Sequence, residues 1–88
     1  MKKISIFGST GSVGTQCLDI ISEFKNQFEI ISLTAGKNED KLQEQIKKFK
    51  PKYYLSDSKN NYNVGTRINT FEELLEIDDS DLIVIALS

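Results

Sequence analysis

The sequence predicts an α/β protein: a doubly wound parallel sheet of four strands, in the spatial order 3-2-1-4, truncated after the fourth. Three observations carry this expectation. Short β-branched apolar runs alternate with segments of helical period, giving β-α-β-α-β-α-β along 88 residues. Each crossover helix returns the chain to the same edge, so the strands run parallel. The last run, DLIVIALS, is apolar at nearly every position, as a strand covered on both faces must be.

KISIF (Lys3–Phe7) is the first strand, stopped by Gly8. From about Gly11 to Lys25 the period changes, with Cys17, Ile21 and Phe24 at i, i+4 and i+7 forming an amphipathic stripe. FEIISLTA (Phe28–Ala35) is the second strand. Asn38 then caps a helix with Glu39 and Asp40 in its first turn, where the helix dipole favours acids facing solvent. Leu42, Ile46 and Phe49 form its apolar stripe, Lys47, Lys48 and Lys50 close it, and Pro51 stops it. KYYLSD (Lys52–Asp57) is a third, shorter strand, and SKNNYNVGTR after it is a polar surface excursion. Thr70 with Glu73 forms a capping-box pattern that opens a short helix through about Glu76. Asp81–Ser88 is the fourth strand.

The composition excludes several classes of function. A net charge of −2, from 11 Lys+Arg and 13 Asp+Glu, gives no electrostatic case for nucleic acid or an anionic membrane. No histidine is present, so a histidine base or metal ligand is closed to this chain. The single cysteine, Cys17, forms no internal disulfide and sits on the helical stripe as a packing residue. No apolar run spans a bilayer, and Gly8 cuts the N-terminal run too short for a signal peptide, so the expected location is cytoplasmic.

GSTGSVG (Gly8–Gly14) joins the first strand to the first helix, at the end of the sheet where the strand order reverses. Glycines in such a place serve either a tight turn or a phosphate cradle. The position in the first βα unit favours the cradle. Gly8 permits the sharp turn, Gly11 lets a pyrophosphate approach the backbone, and Gly14 brings helix close to strand. The N–H groups of the first helical turn face the anion, and Ser9, Thr10 and Ser12 offer hydroxyls. A P-loop is excluded, since no lysine follows Gly14.

An NAD site carries an acid at the tip of the second strand to bind the ribose 2′-hydroxyl. Here Thr34 occupies that tip, followed by Ala35, Gly36, Lys37 and Asn38. Lys37 and the free helix end behind Asn38 suit a 2′-phosphate, so NADP(H) is favoured over NAD. The competing reading makes Gly36 a turn and Lys37 a solvated charge.

IFGSTGSVGTQCLDII, then LTAGKN, then LQEQIKKFKPKY, together resemble the N-terminus of the 1-deoxy-D-xylulose 5-phosphate reductoisomerase family, over essentially the whole chain. The region around Tyr62–Arg67 is the least similar. The glycine loop by itself also suits an aspartate-semialdehyde dehydrogenase or another NADP-dependent reductase. The specific feature is its combination with A-G-K-N and Q-x-x-x-F-x-P-x-Y (Gln45 to Tyr53). The resemblance implies that Thr10, Gly11, Ser12, Val13, Gly36, Lys37 and Asn38 bind NADPH. It also implies an oxidoreductase and isomerase of the non-mevalonate isoprenoid route acting on a sugar phosphate, homodimeric when complete.

Residues 1–88 would then be a partial NADPH-binding Rossmann domain. The catalytic residues, the Mg or Mn site and the C-terminal domain would lie elsewhere, leaving these 88 residues inactive alone. EIDDSD (Glu76–Asp81) lacks metal-ligand spacing and is read as a solvated acidic loop, not a metal site. The alternative of a different class is a non-catalytic nucleotide-binding remnant of such a gene.

Overall fold

The computed structural model describes residues 1–24 and 26–86. The elements are β1 (Lys2–Phe7), α1 (Ser12–Glu23), β2 (Phe28–Thr34), α2 (Glu39–Phe49), β3 (Tyr53–Leu55), β4 (Thr66–Arg67), α3 (Phe71–Ile77) and β5 (Leu82–Ile85). All strand pairs are parallel, in the order β4-β3-β2-β1-β5. The expected 3-2-1-4 core is present as β3-β2-β1-β5. The expectation of four strands is corrected by one: β4 forms inside the stretch read as a surface excursion. Two residues are too few to show any period. The strand exists because the neighbouring main chain offers partners, with Thr66 N–H donating to Lys52 O (3.0 Å) and Ile68 N–H to Tyr54 O (2.9 Å). Lys25, Leu87 and Ser88, assigned to the first helix and the last strand from sequence, lie outside the described residues.

Two apolar layers flank the sheet. Ile4, Ile6, Ile30, Leu33 and Tyr54 pack with Leu18 and Ile21 of α1 and Leu42 and Ile46 of α2. Phe7, Ile68 and Leu74 of α3 form a smaller cluster with Tyr53 and Leu55. Burying each such Leu or Ile contributes roughly 1.5–3 kcal/mol. The α1 stripe is rotated from the expected one: Gly14, Leu18 and Ile21 are buried, Cys17 is half-buried against the core, and Phe24 is 45% exposed. A glycine carries no apolar signal, yet Gly14 is where the helix meets the main chain of Gly8 and Ser9 just past β1. The local punctuation matches the sequence. Asn38 Oδ1 accepts from Lys41 N–H (3.2 Å), Thr70 Oγ1 accepts from Glu73 N–H (3.1 Å), and α2 ends in a left-handed Lys50 (φ 50°) just before Pro51. Leu82, Ile83 and Ile85 of β5 are exposed, with β1 on one side and no further strand among the described residues on the other. No helix among the described residues is long and apolar enough to cross a membrane.

The acidic stretch 76–81, the end of α3 and the loop after it, does more than face solvent. Asp78 Oδ2 accepts from the hydroxyls of Ser5 and Ser32, both at 2.5 Å, and Asp78 Oδ1 accepts from Ser80 N–H (2.9 Å). Ser5 in turn accepts from Ser32 N–H (3.1 Å), and both serines are fully buried. Asp81 and Asp79 serve Lys3, through its N–H and its ammonium. Burial would raise the Asp78 carboxyl, but the hydrogen bonds from Ser32, Ser5 and Ser80 outweigh it and hold the group below its ordinary value of 3.8. A lowered folded-state value contributes stability above about 3.8 that is lost as pH falls through the lower folded value. Asp78→Ala leaves two buried hydroxyls without their acceptor and should cost about 1–3 kcal/mol at pH 7. Urea unfolding should show that gap narrowing below about pH 3.8; a gap independent of pH would remove Asp78 as its source.

Candidate functional site

The loop from Gly8 to Gly11 is built by two close approaches. Gly8 has φ +88°, and a Cβ on it would lie 2.3 Å from Ala86 O, so only glycine fits. A Cβ on Gly14 would lie 2.3 Å from Gly8 O and 2.7 Å from Ser9 Cα, so α1 rests directly on the loop. The main chain is then strapped to its neighbours. Gly8 N–H donates to Thr34 O (3.1 Å) and Oγ1 (2.9 Å), and Ser9 N–H to Thr34 O (2.8 Å). The fully buried Ser9 hydroxyl is 2.7 Å from Gln45 Oε1 and 3.2 Å from Thr34 O, while Gln45 Nε2 donates back to Ser9 O (2.8 Å).

Ser9 is therefore committed inward and is no donor to a ligand, contrary to the expectation for the three loop hydroxyls. Thr10 is half-buried and Ser12 exposed, and these two remain available. Gly11 is the N-cap of α1, with an ordinary extended backbone (φ −75°, ψ 177°) and no side-chain cap. The N–H groups of Ser12, Val13 and Gly14 have no intrahelical acceptor in such a position. α2 and α3, by contrast, each carry a side-chain cap. An uncapped helix start behind a bare glycine suits an anion supplied from outside.

The second half of the site leaves the adjacent strand. Phe7 and Thr34 are partners in the β1–β2 register, so the Gly8–Val13 loop and the Ala35–Asn38 turn emerge side by side at the carboxyl ends of the strands. Ala35 N–H donates to Leu55 O (2.9 Å) and Asp57 N–H to Gly36 O (3.0 Å), which fixes the turn. Gly36, Lys37 and Asn38 are exposed, and a Cβ on Gly36 would meet nothing within 4 Å. All seven residues singled out from sequence thus lie on these two neighbouring segments.

Glu39 departs from the solvent-facing role expected for a first-turn acid. Its carboxylate is 2.5 Å from the Ser56 hydroxyl, accepts from Tyr62 Oη, and pairs with Arg67 Nη2 at 2.8 Å. The Arg67 side chain is only 5% exposed. Its Nη1 donates to Ser56 Oγ (2.9 Å) and Ser58 O (2.7 Å), its Nε to Asn60 O, and its guanidinium lies 5.0 Å from the Tyr54 ring centre. Burial opposes the Glu39 charge, yet the Ser56, Tyr62 and Arg67 contacts prevail and lower its pKa. Burial and the bond to Glu39 raise that of Tyr62. Nothing local signals this cluster, because Glu39 and Arg67 stand 28 positions apart and meet only through β4.

A family model described as 1-deoxy-D-xylulose 5-phosphate reductoisomerase matches residues 4–88. The reductoisomerase of Thermoanaerobacter sp. (strain X514) is 39% identical over an alignment of 98 residues, covering 99% of this chain and 25% of that protein. The one of Prochlorococcus marinus (strain NATL2A) is 44% identical over 85 residues, covering 96% and 21%. A crystal structure of DOX-P reductoisomerase in complex with NADPH, fosmidomycin and magnesium superimposes with a TM-score of 0.84 at 28% identity, over 99% of this chain and 24% of that one. The Zymomonas mobilis enzyme in complex with NADPH gives 0.62 at 26% identity, over 97% and 20%. The chain spans only a fifth to a quarter of the length of these relatives. With the glycine loop, the A-G-K-N turn and the sheet order in place, the chain belongs to the 1-deoxy-D-xylulose 5-phosphate reductoisomerase family.

Proposed function

We propose that these 88 residues are the NADPH-binding portion of a 1-deoxy-D-xylulose 5-phosphate reductoisomerase. The complete protein converts 1-deoxy-D-xylulose 5-phosphate to 2-C-methyl-D-erythritol 4-phosphate in non-mevalonate isoprenoid biosynthesis. The observation that carries the cofactor reading is the uncapped start of α1 behind Gly11, one strand away from the exposed Lys37. The residues present fit the cofactor. Ser12 and Val13 hold the pyrophosphate with main-chain N–H groups, Gly11 lets it approach the backbone, and Thr10 adds a hydroxyl. Gly36, Lys37 and Asn38 hold the adenosine end, with Lys37 as counter-charge to the 2′-phosphate.

NADPH supplies the hydride, and this chain's residues bind and orient it. They include no catalytic group, and the 88 residues by themselves turn nothing over. The divalent metal (Mg or Mn) and the sugar-phosphate contacts belong to a separate catalytic domain, in a cytoplasmic homodimer. In that complete protein Lys37→Ala should weaken NADPH about 10- to 150-fold, the worth of one charge-assisted phosphate contact, while NADH changes little. Fluorescence titration with both nucleotides decides it. Equal weakening of the two would show that Lys37 does not read the phosphate.

A further inference from the structure

Resting on that cofactor reading, we propose that Arg67 is a specificity-positioning residue: it holds the Glu39 carboxylate away from the ground that a 2′-phosphate would occupy. Glu39 directly follows Asn38 and opens α2, next to the A-G-K-N turn. A carboxylate at the end of the second strand is what dinucleotide sites use to bind a free ribose 2′-hydroxyl and to repel a 2′-phosphate. This chain carries Thr34 at that strand end, and the first acid after it, Glu39 at the start of α2, is turned inward. Arg67 takes one oxygen at 2.8 Å, Ser56 the other at 2.5 Å, and Tyr62 adds a second hydroxyl.

The remaining arginine donors go to Ser56, Ser58 and Asn60, and the rings of Tyr54 and Tyr62 lie within 5.0 and 5.9 Å of the guanidinium carbon. Every arm of Arg67 is engaged within the protein, so it acts through Glu39 and not by touching the nucleotide. Without Arg67 the carboxylate loses its counter-charge in a half-buried place and is driven toward water. Glu39 N–H donates to Lys37 O (2.9 Å) and Lys37 is exposed, so on this proposal the released carboxylate enters the water around that turn. There it competes with the phosphate for the lysine and offers an acceptor to a 2′-hydroxyl.

The test uses the complete protein, with Kd measured for NADPH and NADH, and for the fragments 2′,5′-ADP and 5′-AMP, by titration calorimetry. Arg67→Gln should weaken NADPH and 2′,5′-ADP about tenfold, leaving NADH and 5′-AMP unchanged or tighter. Adding Glu39→Gln should restore NADPH to within about twofold, because the released group no longer carries charge. Equal weakening of phosphorylated and unphosphorylated ligands, or no restoration by Glu39→Gln, overturns the inference and leaves Arg67 a structural residue. Should Arg67→Gln melt below the assay temperature, Tyr62→Phe is measured instead, with a selective loss of about threefold expected and no selective loss overturning. A wild-type protein without preference for NADPH would sink the cofactor reading itself. A preference that survives every variant would sink only the role of Arg67.

Discussion

Gly14→Ala is expected to destabilise this domain by about 3 kcal/mol or more, lowering its unfolding temperature by roughly 10–25 °C. Alanine is ordinarily the better helix former, by up to about 1 kcal/mol. The steric term reverses that sign. The added methyl would stand 2.3 Å from Gly8 O and 2.7 Å from Ser9 Cα, both main-chain atoms. Neither can retreat, because the loop is tied to Thr34 and, through Ser9, to Gln45 of α2. Helix α1 must lift instead, pulling Leu18 and Ile21 off the sheet. Native domains hold only about 5–15 kcal/mol in total, so the change takes a large share. Circular dichroism through a thermal ramp measures it. A transition within a few degrees of wild type would show that α1 slides at little cost.

The second large effect separates ligand from fold within the same motif. Gly11→Val should leave that unfolding transition nearly unchanged and weaken NADPH on the order of 100-fold or more, as several charge-assisted bonds to the pyrophosphate are lost together. Gly11 sits at φ −75° and ψ 177°, a conformation that valine adopts freely. Gly8, at φ +88° and against Ala86 O, does not share that tolerance. Of the three equally spaced glycines, the fold demands Gly8 and Gly14, and the proposed pyrophosphate contact would account for Gly11. Nucleotide titration beside circular dichroism distinguishes the outcomes. Tight binding by the variant would place the pyrophosphate elsewhere, and an unfolded variant would make Gly11 conformational.

The features that were legible in the sequence are those set by short-range chemistry. The Asn38 and Thr70 caps, the halt at Pro51 and the stripe of α2 each arise from groups within a few positions of one another. The order of the four strands expected from sequence also followed, because crossover handedness and short connections leave few alternatives once the elements are named. The two loops of the candidate site could be placed together for the same reason: β1 and β2 are neighbours and both end there.

By itself, then, the sequence determined the element types, the parallel sheet and the position of the glycine loop at the switch between β1 and β5. Tertiary structure alone decided which polar side chains turn inward. Ser9 meets Gln45 across 36 positions, Asp78 meets Ser32 across 46 and Ser5 across 73, and Glu39 meets Arg67 across 28. β4 belongs with them, since its two residues pair only because β3 is already in place. A polar side chain has the same local pattern whether it faces water or a buried partner. The choice rests on desolvation being offset by hydrogen bonds that exist only after the sheet has brought distant segments together.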